Sequence, residues 1–262
     1  MKTTRILPLI NLLILSGTIY WNYLSNTGII DGKNVGLVSN KYDSLFTPAS
    51  YTFAIWGIIY LCLIIQAVYL VIQGFRGNIE PTIKKLIPYL IVANIANSLW
   101  VYVWLKEYTG LSILVMVIIL VSLLTAVLKL NMQHKSVPVA YMISIWWPLD
   151  IYSGWITVAT IANISAYLYS MGWSGGLSEV SWTIIMILIG TAIYIFMIFN
   201  RNMREFAAVG IWAFYGIAVR HWYTIPELKF VALSAAAVIF VLTLYHAFHN
   251  RKSLPIVGKK KQ

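Results

Sequence analysis

Eight long apolar runs alternate with short polar stretches along this chain, at approximately 6–24, 49–73, 86–105, 110–129, 139–168, 181–200, 206–223 and 229–248. A helix rising 1.5 Å per residue needs roughly 20 such residues to cross the hydrocarbon core of a bilayer. The pattern predicts an all-α polytopic membrane protein with eight transmembrane helices. The run at 206–223 is short and ends in Arg220 and His221. The first run follows Lys2 and Arg5, as a secretory signal would. It offers no clear small-residue cleavage site, and Pro8 and Asn11 interrupt its apolar core. It is read as an uncleaved first span.

Composition agrees. The chain has 262 residues, 60% hydrophobic and 10% charged, with a mean hydropathy of +0.78. Soluble domains carry roughly 25% charged residues, so a soluble domain is excluded. The net charge of +11 is spread over short loops and a tail, which argues against nucleic acid as a partner and for the lipid bilayer. With the N-terminus inside, fourteen of the nineteen basic residues fall on the inner side and five on the outer. Basic residues collect on the cytoplasmic side, so both termini are expected in the cytoplasm and the chain in the cell (inner) membrane. The run Lys259–Lys261 reads as a headgroup-facing tail. The single cysteine, Cys62, allows no intramolecular disulfide.

The outer loop around 25–48 is rich in Gly, Asn, Ser and Asp and ends in Phe46, Thr47 and Pro48. Loops of this length are uncommon without a purpose. A lid over an outward-facing cavity and a slack connector are both open readings. Gly172–Gly176 has no phosphate-loop spacing and is read as a turn.

The fifth run holds the densest chemistry, reading WWPLDIYSGWITVATIAN over 146–163. Polar groups in hydrocarbon need partners, so this helix should line something. Helical spacing puts Thr52, Trp56 and Tyr60 on one stripe, and Asn97, Trp100 and Trp104 on another. Pro148 and Trp155 nearly share a third, with Asn163 about 80° away. By helical rise, Trp56, Asn97, Trp100 and Asn163 all lie about 8–12 Å below the outer surface. They can therefore meet, with the asparagines accepting from indole N–H groups. The plainer reading makes the asparagines interhelical glue and Trp21, Trp173, Trp182 and Trp222 interface anchors.

Three motifs, Pro48-x7-Trp56-Gly57-x2-Tyr60, Asn97-x2-Trp100 and Pro148-x6-Trp155-x7-Asn163, occur in order on the second, third and fifth runs. In this the chain resembles the tryptophan-rich sensory protein/translocator protein (TspO/MBR) family. The similarity covers about 1–169. It implies a five-helix bundle there, followed by three additional helices over 170–250 and a basic cytoplasmic tail over 251–262. It further implies a pocket beneath the first loop for a tetrapyrrole such as protoporphyrin IX, with no required cofactor. The carried-over ligand-binding residues are Trp56, Tyr60, Asn97, Trp100, Trp155 and Asn163, with Pro48 shaping the lid. The family's further prolines before the second helix are missing here, where Ala54 and Ile55 precede Trp56.

Asp150 lies mid-span and points about 140° from Trp155. An isolated charge there would cost about 2.5–3.5 kcal/mol, so it needs a partner. Arg220 or His221 is the expected one, forming a buried ion pair that docks the added helices. His246 and His249 read as interfacial. No triad, no paired carboxylates on one face and no His or Cys metal motif appear. The chain is read as a binding protein for a flat hydrophobic ligand that it moves or senses, as a homodimer or alone. The alternatives are a transporter of a small amphipathic solute that uses Asp150, and an enzyme that degrades porphyrin.

Overall fold

A computed structural model describes residues 2–133, 137–173 and 175–250. The basic tail over 251–262 lies outside the described residues. Among the described residues the secondary structure is helical throughout, apart from one isolated bridge between Ile30 and Lys33. The helices are α1 (Lys2–Ser25), α2 (Val35–Lys41), α3 (Ile55–Arg76), α4 (Glu80–Leu105), α5 (Thr109–Leu130), α6 (Val139–Tyr141), α7 (Trp147–Ser170), α8 (Glu179–Arg201), α9 (Arg204–Arg220) and α10 (Pro226–His249).

Every predicted run becomes helical, and among the described residues six segments are long and apolar enough to cross a membrane: Thr3–Ser25, Ser50–Arg76, Glu80–Leu105, Thr109–Leu130, Glu179–Arg201 and Pro226–His249. Helices α7 and α9 fall outside that set. With 17 residues, α9 is only about 26 Å long. The fifth run is not one plain helix. A π-helical stretch, Met142–Trp146, precedes α7, and the Trp147 N–H bonds to the Met142 carbonyl. Pro148 explains the widening. It has no N–H, and in a regular helix its ring would strike the carbonyl four residues back; a π-bulge absorbs this.

The chain packs as two compact units. Among the described residues the first contains 2–44, 55–130 and 159–173, and the second 45–54, 131–133, 137–158 and 175–250. The boundary expected at 169 coincides with neither, and α7 contributes its first half to the second unit and its second half to the first.

In the first unit α1 packs on α3 and α4, and α4 on α5. Ile55, Ile59, Leu63, Ala67 and Leu70 of α3 are buried, while Ile58, Leu61, Ile65 and Ile72 are exposed. Both sets are apolar, so the outward face suits lipid rather than water. In the second unit α9 packs on α8 and α10. Its core is aromatic. Tyr194 meets Phe206 at 5.2 Å and Phe214 edge-on at 5.9 Å between ring centroids, and its hydroxyl donates to the Gly154 carbonyl at 2.9 Å.

Candidate functional site

In the first unit Trp100 and Asn163, from the motifs of the third and fifth runs, meet. The Trp100 Nε1–H donates to Asn163 Oδ1 at 2.7 Å, and Asn163 Nδ2 donates on to Ser112 Oγ at 2.6 Å. One amide thus joins α4, α5 and the second half of α7. Trp100 lies parallel to Trp104, 15° between planes and 5.7 Å between centroids. Trp56 stacks on Tyr60, one turn along α3, at 5.4 Å and 29°.

Asn97 departs from expectation. Its Oδ1 accepts from Asn22 Nδ2 of α1 at 2.9 Å rather than from an indole, and its buried Nδ2 meets no acceptor. The reason is a polar seam between α1 and α4. Thr18 Oγ1 donates to the Asn94 carbonyl at 3.2 Å, and the Trp21 Nε1–H to the Ser98 carbonyl at 2.9 Å. Trp21 is therefore an interhelical donor and more than a surface anchor. Thr18, Trp21 and Asn22 share one helical face at i, i+3 and i+4, which is the signal that reveals the seam.

The outer loop is a packed, hydrogen-bonded element rather than a slack connector. Asn34 caps α2, accepting from the Leu37 N–H at 2.9 Å. Ile30 and Val38 sink into a core with Val101, Trp104, Leu105 and Ala166, and Val35, Tyr42 and Trp100 pack against it. Glu107 latches the loop. Its carboxylate receives Lys33 Nζ at 2.6 Å, Tyr42 Oη at 2.8 Å and the Lys41 ammonium. Lys106 pairs with Asp31 at 3.0 Å. Lys33, Lys41 and Tyr42 together hold the Glu107 carboxyl down at about 2. Burial, then the Glu107 carboxylate, pushes the Tyr42 phenol up to about 12.

Glu107 also closes α4 with a positive φ of 61°. Its N–H bonds to the Trp104 carbonyl and that of Tyr108 to Val103, a Schellman turn in which glycine is the usual occupant. Glu107→Gly should therefore keep the turn and lose the latch. Amide exchange over 26–44 is expected to quicken about fivefold, for about 1 kcal/mol from a half-exposed charge network. Unchanged exchange would show that the ion contacts do not hold the loop. The pH dependence has a definite sign. A depressed carboxylate stabilises the latch above its ordinary value of 4.5, and that stability fades as pH falls toward about 2.

In the second unit the expected ion pair is replaced. Asp150, fully buried, accepts from Gln133 Nε2 at 3.0 Å, and Glu205 and Arg204 from the first turn of α9 adjoin it. Arg220 is sixteen residues further along α9, about 24 Å by helical rise. It donates through Nη1 to the Thr47 carbonyl at 2.7 Å, and His221 Nε2 lies 2.8 Å from the Leu45 carbonyl. Asp150 faces the first turn of α9 and not its last, and the turn carrying Gln133 folds in against it; Asn202 holds that turn, its Nδ2 donating to the Gln133 carbonyl at 3.2 Å.

Pro48 lies in a segment clamped along α9. The Ala49 N–H donates to the Gly216 carbonyl at 3.0 Å, and the Trp212 Nε1–H to the Thr52 carbonyl at 3.0 Å. Gly216 has no side chain because a Cβ there would lie 2.2 Å from Thr52 Oγ1 and 3.1 Å from Pro48 Cβ. Trp155 is buried with Phe53 edge-on at 5.9 Å, its Nε1–H without an acceptor. Among the described residues no group of three His, Cys, Asp or Glu could hold a metal ion.

A family model described as TSPO-like protein matches residues 8–245. No curated protein and no solved structure matches the chain. The family match continues well past residue 169, where the resemblance was expected to stop, and takes in α8, α9 and nearly all of α10. The residues that clamp 45–54 and those that surround Asp150 thus fall inside the matched range. On this match, spanning most of its length, the chain belongs to the family of TSPO-like proteins.

Proposed function

We propose that this protein crosses the inner membrane eight times, with both termini in the cytoplasm, and binds a flat hydrophobic ligand of the tetrapyrrole class in order to move or sense it. The observation carrying this reading is the Trp100 indole, fixed by Asn163 and stacked on Trp104 beside the latched loop. A rigid aromatic face with few polar groups suits a planar macrocycle. Asn97 Nδ2, buried and without an acceptor, is a donor for a ligand oxygen. Trp56 and Tyr60 supply a second aromatic pair in the same unit. Pro48 and Trp155 belong to the second unit.

The test is a protoporphyrin IX titration of the purified protein, followed by tryptophan quenching. Saturable quenching is expected, with Kd raised about tenfold in Trp100→Phe, equivalent to about 1.4 kcal/mol. Trp56→Phe and Trp155→Phe report on the other two indoles. Linear, unsaturable quenching, identical in wild type and Trp100→Phe, would reject the reading. A solute transporter is the second reading, favoured by the buried acid at Asp150; proton-coupled uptake lost in Asp150→Asn would support it.

A further inference from the structure

The second unit buries more ionisable groups than a membrane helix bundle normally tolerates. Asp150 of α7 is fully buried, Arg204 of α9 and His246 of α10 nearly so, and Glu205 is half-buried. The Asp150 and Glu205 carboxyls come within hydrogen-bonding reach of each other. Asp150 Oδ2 already accepts from Gln133. The oxygens left without a donor are Asp150 Oδ1 and Glu205 Oε2. Two ionised carboxylates are acceptors only, so neither can satisfy the other as it stands. One hydrogen shared by the two acids turns one acceptor into a donor.

Charge counting leads to the same place. Arg204 adjoins Asp150 and also lies near His246. One guanidinium balances one carboxylate. Among the described residues a second negative charge in this enclosure would have no counter-ion, and an uncompensated buried charge costs several kcal/mol. His246 approaches Arg204 rather than the two carboxyls, and its Nε2 lies 2.8 Å from Asn250 Nδ2. Among the described residues the groups facing the pair are Gln133 from the turn, Arg204 on α9 and, through Arg204, His246 on α10. Two acids and a single histidine are also a poor set for a bound metal ion.

We infer that Asp150 and Glu205 form a proton-binding site, a carboxyl–carboxylate pair that holds one proton between α7 and α9. Loaded, the cluster of Asp150, Glu205 and Arg204 is neutral and its donors and acceptors match. Unloaded, it carries one surplus negative charge between two packed helices. The site stands independently of tetrapyrrole binding, since none of its residues belongs to the first unit.

The experiment is infrared difference spectroscopy of the full-length protein in lipid, titrated from neutral to alkaline pH in H2O and D2O. A protonated-carboxyl C=O band is expected at neutral pH, shifted in D2O and lost on alkalinisation. It should be absent in both Asp150→Asn and Glu205→Gln, because either change removes the pair. The chain has only eight acidic residues, which keeps the band assignable. Wild type with no such band at neutral pH overturns the proposal, as does a band that survives unchanged in both variants. If a variant fails to fold, the wild-type titration decides alone. A band that disappears on adding sodium at fixed pH would also overturn it, since the site would then hold a metal cation in preference to a proton.

Discussion

Gly154→Val is expected to abolish the folded protein, whereas Gly57→Ala should be silent. A Cβ at 154 would lie 2.8 Å from the Phe206 carbonyl oxygen, 3.3 Å from Phe206 Cα and 3.2 Å from Val209 Cβ. Two of those three atoms are backbone and cannot swing aside, so α7 and α9 would have to separate. Small residues at such crossings let helix backbones approach where lipid offers no hydrophobic drive. Separation would also break the bond from Tyr194 Oη to the Gly154 carbonyl in the middle of the aromatic core. Overpacking of this kind costs about 1–3 kcal/mol for one methyl and more for a branched side chain. Alanine recovers up to about 1 kcal/mol through helix propensity, so Gly154→Ala should survive in weakened form. Gly57 has nothing within 4 Å of its Cβ position and serves as control. Thermal unfolding of purified protein in detergent separates the three. A Gly154→Val protein as stable as Gly57→Ala would mean that α7 and α9 are not packed through this glycine.

Asn163→Leu should destabilise the first unit by about 1–3 kcal/mol, the cost of leaving a buried donor unmade. The residue accepts from Trp100 and donates to Ser112. Ser112 loses little, since its hydroxyl still donates to the Thr109 carbonyl at 2.6 Å. Trp100 has no such alternative. The signature is therefore non-additivity. In an Asn163→Leu background, Trp100→Phe removes the stranded N–H and should cost less than it does in the wild type. Simple additivity of the two losses would show that the hydrogen bond contributes nothing. Asn163→Asp keeps an acceptor for Trp100 but forfeits the donor to Ser112 and adds a charge, so it should be worse than leucine.

These two sites also show what could be read from residues alone. The Trp100–Asn163 contact was legible because both lie a similar distance from the C-terminal ends of runs expected to enter from the same side, and rise per residue fixes depth within a regular helix. For Asp150 the mid-span placement took the helix from 139 as unbroken. The π-helical stretch before Pro148, and a turn that folds Gln133 inward, bring Asp150 to the first turn of α9 instead. Glu205 escaped notice because an acid in a helix's first turn ordinarily marks its start. Asn22 escaped because one polar residue near the end of a span looks like an interface residue. The loop's latch could not be read at all. Nothing local distinguishes Glu107 from any other charged residue following a helix until Lys33, Lys41 and Tyr42 are seen around it.

The grip of α9 on 45–54 bears on how this chain may be shortened. The carbonyls of Leu45, Thr47 and Thr52 all take their hydrogen bonds from residues beyond 200. A gene fragment ending after the fifth helix would release that stretch with three acceptors bare in an oily surrounding, and would strip the cover from Gly154. A minimal five-helix version of this protein is thus not a matter of trimming. It would need new side chains wherever the missing helices once lay.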